Sequence, residues 1–453
     1  MGTVNVNKVI DESKLNGYHI LILILCAIAI TTDGYGLVVF GTVVPVMMKE
    51  WNLTPVQAGS LSSYALIGMM LGALFFGSLA DKMGRKKVVI ICVAIFGLFN
   101  GLCSFANGPG IFGIFRFIAG LGLGGVMPIV TTMVTEFSPQ KVRSIFVTIM
   151  FSGMQLGPMI AAGLGIVVIP SMGWRPMFWL SAVPLLAIPF FITCLPESMN
   201  VYLAKNDGEK IRKTLMKLNR EYKPEAEEKY FLGAPKPKGN AVASLFENNR
   251  SLSTIMFWAV FFMSLLTTYA LQTWLPKLMQ SGGYSMGSSL WFMLILNFGA
   301  IAGAIFGGML LDRINGRKVI IAYYLVAVLC FFLFSFKANM VILSLLILVV
   351  GGTTMGTQII CNAYVSQYYP ITMRASAMGW ALGIGRIGGI LGPLIMGSLL
   401  GMGFSLQQNF MIIAIPSLIA ACGMMVVQEK YSYSSSLATS QPVPEIGAKK
   451  SSL

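Results

Sequence analysis

The sequence predicts an all-α polytopic membrane protein whose twelve transmembrane helices form two six-helix, pseudo-symmetric halves. Three observations predict this fold class. The chain has 453 residues, of which 56% are hydrophobic and only 11% charged, a balance outside the usual range of water-soluble proteins. Apolar runs of about 20 residues, the length that a helix needs to cross a bilayer, recur along nearly the whole chain. The two halves of the chain also share residues at a constant offset.

Twelve apolar runs are long enough to cross a membrane as helices. The first run is too long for a secretory signal and lacks a small-residue cleavage site, so we expect it to remain in the mature protein. In chain order, the expected spans are 18–47, 54–80, 88–106, 110–135, 142–169, 174–195, 251–279, 285–311, 319–336, 340–369, 372–400 and 408–427.

The segments outside these runs set the predicted domain boundaries. Residues 1–17 form an N-terminal segment, and 18–195 form the N-terminal six-helix half. Residues 196–250 are basic and interrupted by prolines, which is typical of a linker, and the stretch near 207–221 is expected to be helical. The C-terminal half spans 251–427, and 428–453 has the composition of a disordered tail.

An internal repeat is the strongest evidence for two related halves. Five pairs of residues match at a separation of 231 positions without a gap. Duplicated six-helix halves are typical of secondary transporters, whose substrate site lies near the membrane midplane, although a fold alone does not name a substrate. The matching pairs are Asp81 and Asp312, Gly120 and Gly351, Gly125 and Gly356, Pro139 and Pro370, and Arg143 and Arg374.

The charge distribution predicts how the chain lies in the membrane. The formal net charge is +15, which in a soluble protein would suggest nucleic acid as a partner. All but six of the 32 Lys and Arg residues, however, fall on one side of the predicted bundle. The positive-inside rule makes that side cytoplasmic. We therefore expect a multi-pass protein of the inner cell membrane with both termini in the cytoplasm, acting as a monomer, and no nucleic acid partner.

The residue types exclude several kinds of chemistry. The seven Cys residues lie in apolar runs without a CxxC pair, and His19 is the one His of the chain. Such cysteines are typical of packing, and a single His cannot form a His-based metal or catalytic cluster. No GxxxxGK[ST] phosphate loop is present. We predict no enzyme activity, no metal, and no cofactor other than protons as the coupling ion.

Two loops at equivalent places in the halves predict a gate. GSLADKMGRKK begins at Gly77 and contains Asp81, Gly84 and Arg85, and GMLLDRINGRK in the second half ends in Arg317 and Lys318. These loops resemble the GxLxDxxGRK signature of the major facilitator superfamily, which implies the major facilitator fold. Gly suits a tight turn, and Arg can form bidentate ion pairs across the seam between the halves. The gate residues that we predict are Gly77, Asp81, Gly84, Arg85, Glu136, Arg143, Asp312, Arg317 and Arg374.

Three charged residues lie deep inside predicted spans, away from the ends. Arg116 opens RFIAGLGLGGVMP, which resembles the RxxxGxGxGG segment of the same superfamily, and we assign Arg116 to proton coupling; snorkelling to the membrane surface is the alternative. Arg386 lies near the centre of the eleventh span, where a guanidinium is costly unless it has a function. Its fixed fork of donors suits a carboxylate. Asp33, in the run TTDGYG, is either its structural partner or a proton site.

Several motifs narrow the resemblance. TTDGYG, GLGLGGVMP, YALQTWLP, QYYP and GWALGIGRIGGILGP together resemble the aromatic acid:proton symporter branch of the superfamily, from about residue 18 to 427. The resemblance implies proton-coupled transport of an aromatic carboxylate, and we assign the proton to Asp33 because it is an acid buried near an arginine. That branch has a second Asp three residues after the first, where this chain has Gly36. The departure leaves the proton stoichiometry open.

Polar and aromatic residues at membrane depth complete the predicted substrate site. The amides could orient a ligand by hydrogen bonds or could hold helices together. Tyr and Trp could offer ring faces to an aromatic ligand or could belong to the core and the interfacial belt. With Arg386, the predicted substrate-binding residues are Tyr35, Gln155, Gln272, Asn297, Gln358, Asn362 and Trp380; further ring faces are Tyr64, Tyr269 and Trp274.

These predictions describe proton-coupled uptake of a small aromatic carboxylate by alternating access. Three alternatives stay open. The substrate could be another organic anion, such as nicotinate, a sugar acid or a dicarboxylate. The chain could instead export a drug or metabolite against protons, which a GxxxGP element at residues 153–158 favours, although that element also suits a kinked packing seam. It could also be a receptor that does not transport.

Overall fold

A computed structural model describes residues 2–222, 224, 228–231, 242–311, 313–334, 339–370 and 373–432. Within this part of the chain, twelve helices are long and apolar enough to cross a membrane. The predicted fold class is therefore confirmed. The gate residue Asp312 and the end of the predicted tail, 433–453, lie outside the described residues.

The spanning helices are numbered 1 to 12 in chain order. Most of them begin and end within a few residues of the predicted bounds. In the first half they are Gly17–Glu50, Pro55–Met83, Arg85–Leu102, Pro109–Phe137, Arg143–Met172 and a sixth made of Arg175–Leu180, Val183–Ala187 and Ile188–Cys194. In the second half they are Ser251–Ser281, Met286–Leu311, Gly316–Leu333, a tenth made of Met340–Gly351, Gly352–Gly356 and Thr357–Tyr368, then Arg374–Gly401 and Leu406–Val426.

Local sequence explains where several helices begin and where two are irregular. Asn16, Thr54 and Ser405 each accept a hydrogen bond from the first turn that follows, in reciprocal capping boxes. Helix 6 is broken into three pieces that each carry Pro in the first turn, because proline lacks the amide that continues a helix. Helix 10 contains a π-helical turn over Gly352–Gly356, where it packs closely on helix 8.

We name the two ends of the bundle by the linker. The linker side is the end where helix 1 begins and helix 6 ends, and the far side is the opposite end. On the linker side, strand β1 (Gly2–Asn5) pairs in parallel with strand β2 (Glu228–Phe231). Short helices cover Val6–Asp11, Met199–Ala204 and Gly208–Leu218. The sequence analysis anticipated the last of these helices but not the strands.

The two halves contact each other on the far side. Helix 2 packs against helix 11, helix 5 against helix 8, and helix 1 against helix 7. Between described residues, two hydrogen bonds join the halves: Ser62 and Thr273 share one of 2.9 Å, and Ser63 donates to the Ile390 carbonyl at 2.7 Å. Gly41 lies so close to helix 7 that an added Cβ would be 2.0 Å from the Gln272 carbonyl oxygen.

Candidate functional site

One face of helix 11 contacts the first half on the far side and lines open space on the linker side. Ile390 lies on this face and accepts the hydrogen bond from Ser63. At about 100° per residue, Gly383 and Arg386 lie on the same face as Ile390. A Cβ added at Gly383 would meet no atom within 4 Å. Arg386 thus lies where the seam between the halves opens.

The Arg386 guanidinium is unpaired. Arg386 is partly exposed, and it forms neither a hydrogen bond nor an ion pair with any described residue. An arginine without a partner near the middle of a membrane is costly, and the donors of Arg386 are free to bind a ligand. The sequence allowed two partners for Arg386, a bound anion or Asp33. Among the described residues, Arg386 and Asp33 do not form an ion pair.

Asp33 nevertheless lies close to Arg386. The Asp33 side chain is 1% exposed, and its Oδ1 atom has no hydrogen-bond partner. It interacts electrostatically with Arg386, and Tyr269 of helix 7 interacts with both charges. The Tyr269 ring packs over Gly389 of helix 11. The structure therefore brings together the residues predicted to bind the proton and the anion, with a phenol beside them.

Arg116 lies about one helical turn farther toward the far side than Asp33 does, beside Gly36 of helix 1. Its Nη1 donates to the Gly36 carbonyl at 2.8 Å and to Asn100 Oδ1 at 3.0 Å, whereas Nε has no partner. The guanidinium is 1% exposed and lies 5.8 Å from the centre of the Phe40 ring. It lines a cavity of about 10 Å³, enough for roughly one water molecule. Both of its hydrogen-bond partners are neutral.

The predicted amides lie on several helices around the seam. Gln155 belongs to helix 5 and Asn297 to helix 8, two helices that pack together across the seam, and an amide oxygen of each is buried without a partner. Gln272 lines the Arg116 cavity and donates to Met355 Sδ at 3.6 Å. One and two turns beyond Met355 on helix 10 are Gln358 and Asn362, which share a hydrogen bond of 3.3 Å.

Four of the aromatic residues that were predicted to face the substrate pack or hydrogen-bond elsewhere in the protein. Trp380 is 44% exposed, stacks on Trp258 at 5.7 Å between ring centroids, and lies about 120° around helix 11 from Arg386. The Tyr35 hydroxyl donates to the Met177 carbonyl at 2.8 Å. Trp274 is fully buried and donates to the Pro393 carbonyl at 2.9 Å, and Tyr64 is exposed beside Gly113. The structure does not place these four rings beside Arg386.

The predicted gate residues of the first half form a network on the linker side. Gly84 makes the turn between helices 2 and 3 with a positive φ of 101°, which favours glycine. Arg85 forms an ion pair with Glu136, which also accepts from Ser198 at 3.1 Å. Glu197 accepts from the Lys86 amide at 3.0 Å and so caps helix 3. Gly77 and Asp81 belong to helix 2.

The remaining gate residues also have partners within their own half. Arg143 pairs with Asp11 of the N-terminal segment. Arg317 donates to the Val427 carbonyl at 2.7 Å, and Arg374 donates to the Tyr369 carbonyl at 3.1 Å. None of the ion pairs between described residues crosses the seam in this arrangement. The predicted gate arginines therefore form no ion pair across the seam with a described residue, and such pairs in an arrangement closed on the linker side stay a prediction.

Sequence reasoning missed two residues that the structure places at these sites. Glu197, from the segment after helix 6, caps helix 3 by accepting from the Lys86 amide. Asn100, the neutral partner of Arg116, interrupts the third apolar run. The available signal was the same in both cases: a polar residue at the end of a run or inside it.

Comparisons with known proteins agree with this architecture. The sequence model of the Major Facilitator Superfamily matches residues 24–393 and 291–448. The crystal structure of a D-xylose-proton symporter is similar with a TM-score of 0.71 at 18% identity, covering 91% of this chain and 99% of that one. An inward-facing, occupied bacterial homologue of the human lysosomal transporter Spinster gives a TM-score of 0.74 at 15% identity, over 93% and 99% of the two chains. These two likenesses concern the fold alone.

Curated relatives are more similar in sequence. The chain is 40% identical to the benzoate transport protein of Acinetobacter baylyi, over 95% of this chain and 94% of that protein. It is 36% identical to the gentisate transporter of Corynebacterium glutamicum, over 94% and 92%. It is 33% identical to the 4-hydroxybenzoate transporter PcaK of Pseudomonas putida, over 94% and 96%. All three relatives are named for aromatic acids.

Proposed function

Since the chain belongs to the major facilitator superfamily and to its aromatic acid transporter branch, we propose that it takes up a small aromatic carboxylate of the benzoate, hydroxybenzoate or phenylpropionate type together with protons. The observation that carries this proposal is the unpaired guanidinium of Arg386 beside open space at mid-membrane. The names of the relatives supply the aromatic class.

Arg386 binds the substrate carboxylate. The planar guanidinium offers two parallel N–H donors, which match the two oxygens of a carboxylate. The low dielectric of the membrane interior strengthens such a charge-assisted pair. No described side chain forms a hydrogen bond with these donors, so they are available to the substrate while Asp33 is protonated.

Asp33 carries the coupled proton. A protonated Asp33 beside Arg386 leaves one positive charge, which the substrate anion neutralises. Loss of the proton creates a second anion close to Arg386, which competes with the substrate for the guanidinium. Proton and substrate therefore bind together and leave together. With Gly36 in place of a second acid, coupling rests on Asp33, and the role of Arg116 in proton coupling stays a prediction.

The arrangement of the halves supports alternating access. With the termini in the cytoplasm of an inner membrane, the linker side is cytoplasmic and the far side external. The structure then corresponds to the state that is closed outside and open inside. Rocking of one half against the other would close the linker side and open the far side around a fixed central site. One monomer contains both halves and thus the whole path.

Uptake into proteoliposomes tests this function. Radiolabelled benzoate and 4-hydroxybenzoate should accumulate when the lumen is alkaline and should only equilibrate without a pH gradient. Nicotinate, gluconate and succinate are tested in the same uptake assay. Uptake of the sugar acid or the dicarboxylate, without uptake of the two benzoates, would contradict the aromatic assignment. Efflux of preloaded substrate in exchange for protons that flow inward would instead indicate an exporter.

Two variants test the assigned residues. Arg386→Ala should abolish binding of benzoate in calorimetry, whereas Arg386→Lys, which keeps the charge but loses the fork, should retain weak binding. Asp33→Asn should lose accumulation driven by the pH gradient yet keep exchange of labelled for unlabelled substrate. Full accumulation by Asp33→Asn would remove its role as the proton carrier.

A further inference from the structure

We propose that Arg116 forms a second, outer anion site that binds the substrate carboxylate when the far side opens, before Arg386 receives it. The proposal rests on the transport function proposed above and adds a site to it. Its basis is a buried guanidinium with free donors that lines a cavity between the halves.

Arg116 has donors to spare. Both of its hydrogen bonds come from Nη1, and they go to the carbonyl of Gly36 and to the side chain of Asn100. The buried Nε atom has no partner, and no ion pair between described residues includes Arg116. The edge of the guanidinium formed by Nε and Nη2 is the edge that holds a carboxylate through two parallel hydrogen bonds. A charge buried in this way lacks a counter-ion in the described part of the chain, and an anionic ligand would supply one.

The walls of the cavity explain when this site would be accessible. Helices 1, 2 and 4 of the first half supply one side of the cavity. The second half supplies the other side through three residues of helix 7, Tyr269, Gln272 and Thr273. In the present arrangement the space admits about one water molecule and is too small for a carboxylate. When the second half moves away on the far side, that wall moves with it and the guanidinium is uncovered.

Position along the bundle places the outer site on the route to the central one. Arg116 bonds to the carbonyl of Gly36, which follows Asp33 by about one helical turn, or roughly 5 Å, toward the far side. Tyr269 lines the Arg116 cavity and also interacts with Asp33 and Arg386. Tyr269 therefore lies near both guanidinium groups, and an anion that arrives from the far side meets Arg116 first.

The test compares access from the two sides of the membrane in Arg116→Gln. The Michaelis constant for uptake of benzoate from outside, in proteoliposomes with oriented protein, should rise about tenfold or more, since a hydrogen bond to a charged group is among the stronger ones. The affinity of purified, inward-open protein for benzoate should stay within twofold of wild type, because Arg386 supplies that site. The thermal midpoint should not fall, because the substitution removes an unpaired buried charge.

Controls separate this proposal from a structural role and from the transport function itself. Arg116→Lys keeps a cation at this place and should raise the external Michaelis constant less than Arg116→Gln does, whereas an equal increase would overturn the proposal. So would an unchanged external constant in Arg116→Gln, or an equal loss of affinity in the inward-open protein. If wild-type protein takes up neither benzoate nor 4-hydroxybenzoate, the transport function fails first, and the outer site as a substrate site fails with it.

Discussion

Replacing Gly41 with alanine is expected to push the two halves apart on the far side. A Cβ at this position would lie 2.0 Å from the carbonyl oxygen of Gln272, on the backbone of the opposite half. Ordinary contact between such atoms needs about 3.4 Å, and overpacking of this kind typically costs about 1–3 kcal/mol. The cost applies only to the arrangement closed on the far side, so the equilibrium between the two arrangements should shift about 5–150-fold toward far-side opening.

Gly77 offers a matched substitution with the opposite expected effect. It lies on the same face of helix 2 as Gly59, which contacts Pro393 of the second half, but a Cβ at Gly77 would meet nothing within 4 Å. Gly77→Ala therefore introduces no clash in the arrangement that is closed on the far side. Once the linker side closes, the added methyl would enter the seam, so this variant should favour the arrangement that the structure shows.

Distance measurements between spin labels can report both shifts. Lys49 and Ser281 are exposed at the far-side ends of helices 1 and 7, and cysteines placed there would carry the labels. Cys422 is the exposed native thiol among the described residues, and it is first replaced by serine. Gly41→Ala should enrich the long-distance population and Gly77→Ala should deplete it. Identical distributions in wild type and Gly41→Ala, or a shift of the same sign in both variants, would refute the reasoning.

Two further predictions concern stability rather than transport. Arg85→Ala should lower the free energy of unfolding by about 3 kcal/mol, because it leaves the largely buried Glu136 without its cation. Lys213→Ala breaks an exposed pair and should cost far less, because solvent screens such a pair. Equal costs of the two variants, measured by denaturation in detergent, would contradict this prediction. Tyr35→Phe removes the hydrogen bond to the Met177 carbonyl and should lower the free energy of unfolding by about 1 kcal/mol. The affinity for benzoate should not change. Weaker binding at unchanged stability would instead indicate that Tyr35 contacts the substrate.

The sequence was most informative about features that depend on local composition. The twelve spans follow from the length of each apolar run, because lipid requires every backbone amide to be satisfied within its own helix. The turn at Gly84 follows from its place in a motif, and a positive φ there is a local property. For Arg386 the sequence left two alternatives, an anion site and a structural partner, since a mid-membrane guanidinium is costly without either.

Features that depend on distant parts of the chain were harder to predict. Glu197 caps a helix more than 100 residues earlier, as shown by its bond to the Lys86 amide, and nothing near either residue indicates the contact. Arg85 was expected to pair across the seam, but in this arrangement it pairs with Glu136 of its own half. A sequence is compatible with both arrangements of a transporter, so it cannot specify which ion pairs one of them contains.

The pairing of β1 with β2 bears on how the polypeptide divides into folding units. Gly2–Asn5 hydrogen-bonds along Glu228–Phe231, and Lys14 pairs with Glu221 of the same connecting segment. The first half therefore includes its connecting segment at least as far as Phe231, although the apolar runs of that half end near residue 195. A gene split to produce the two halves as separate polypeptides should be cut after Phe231, because a cut at 195 would remove the partner strand of the N-terminus.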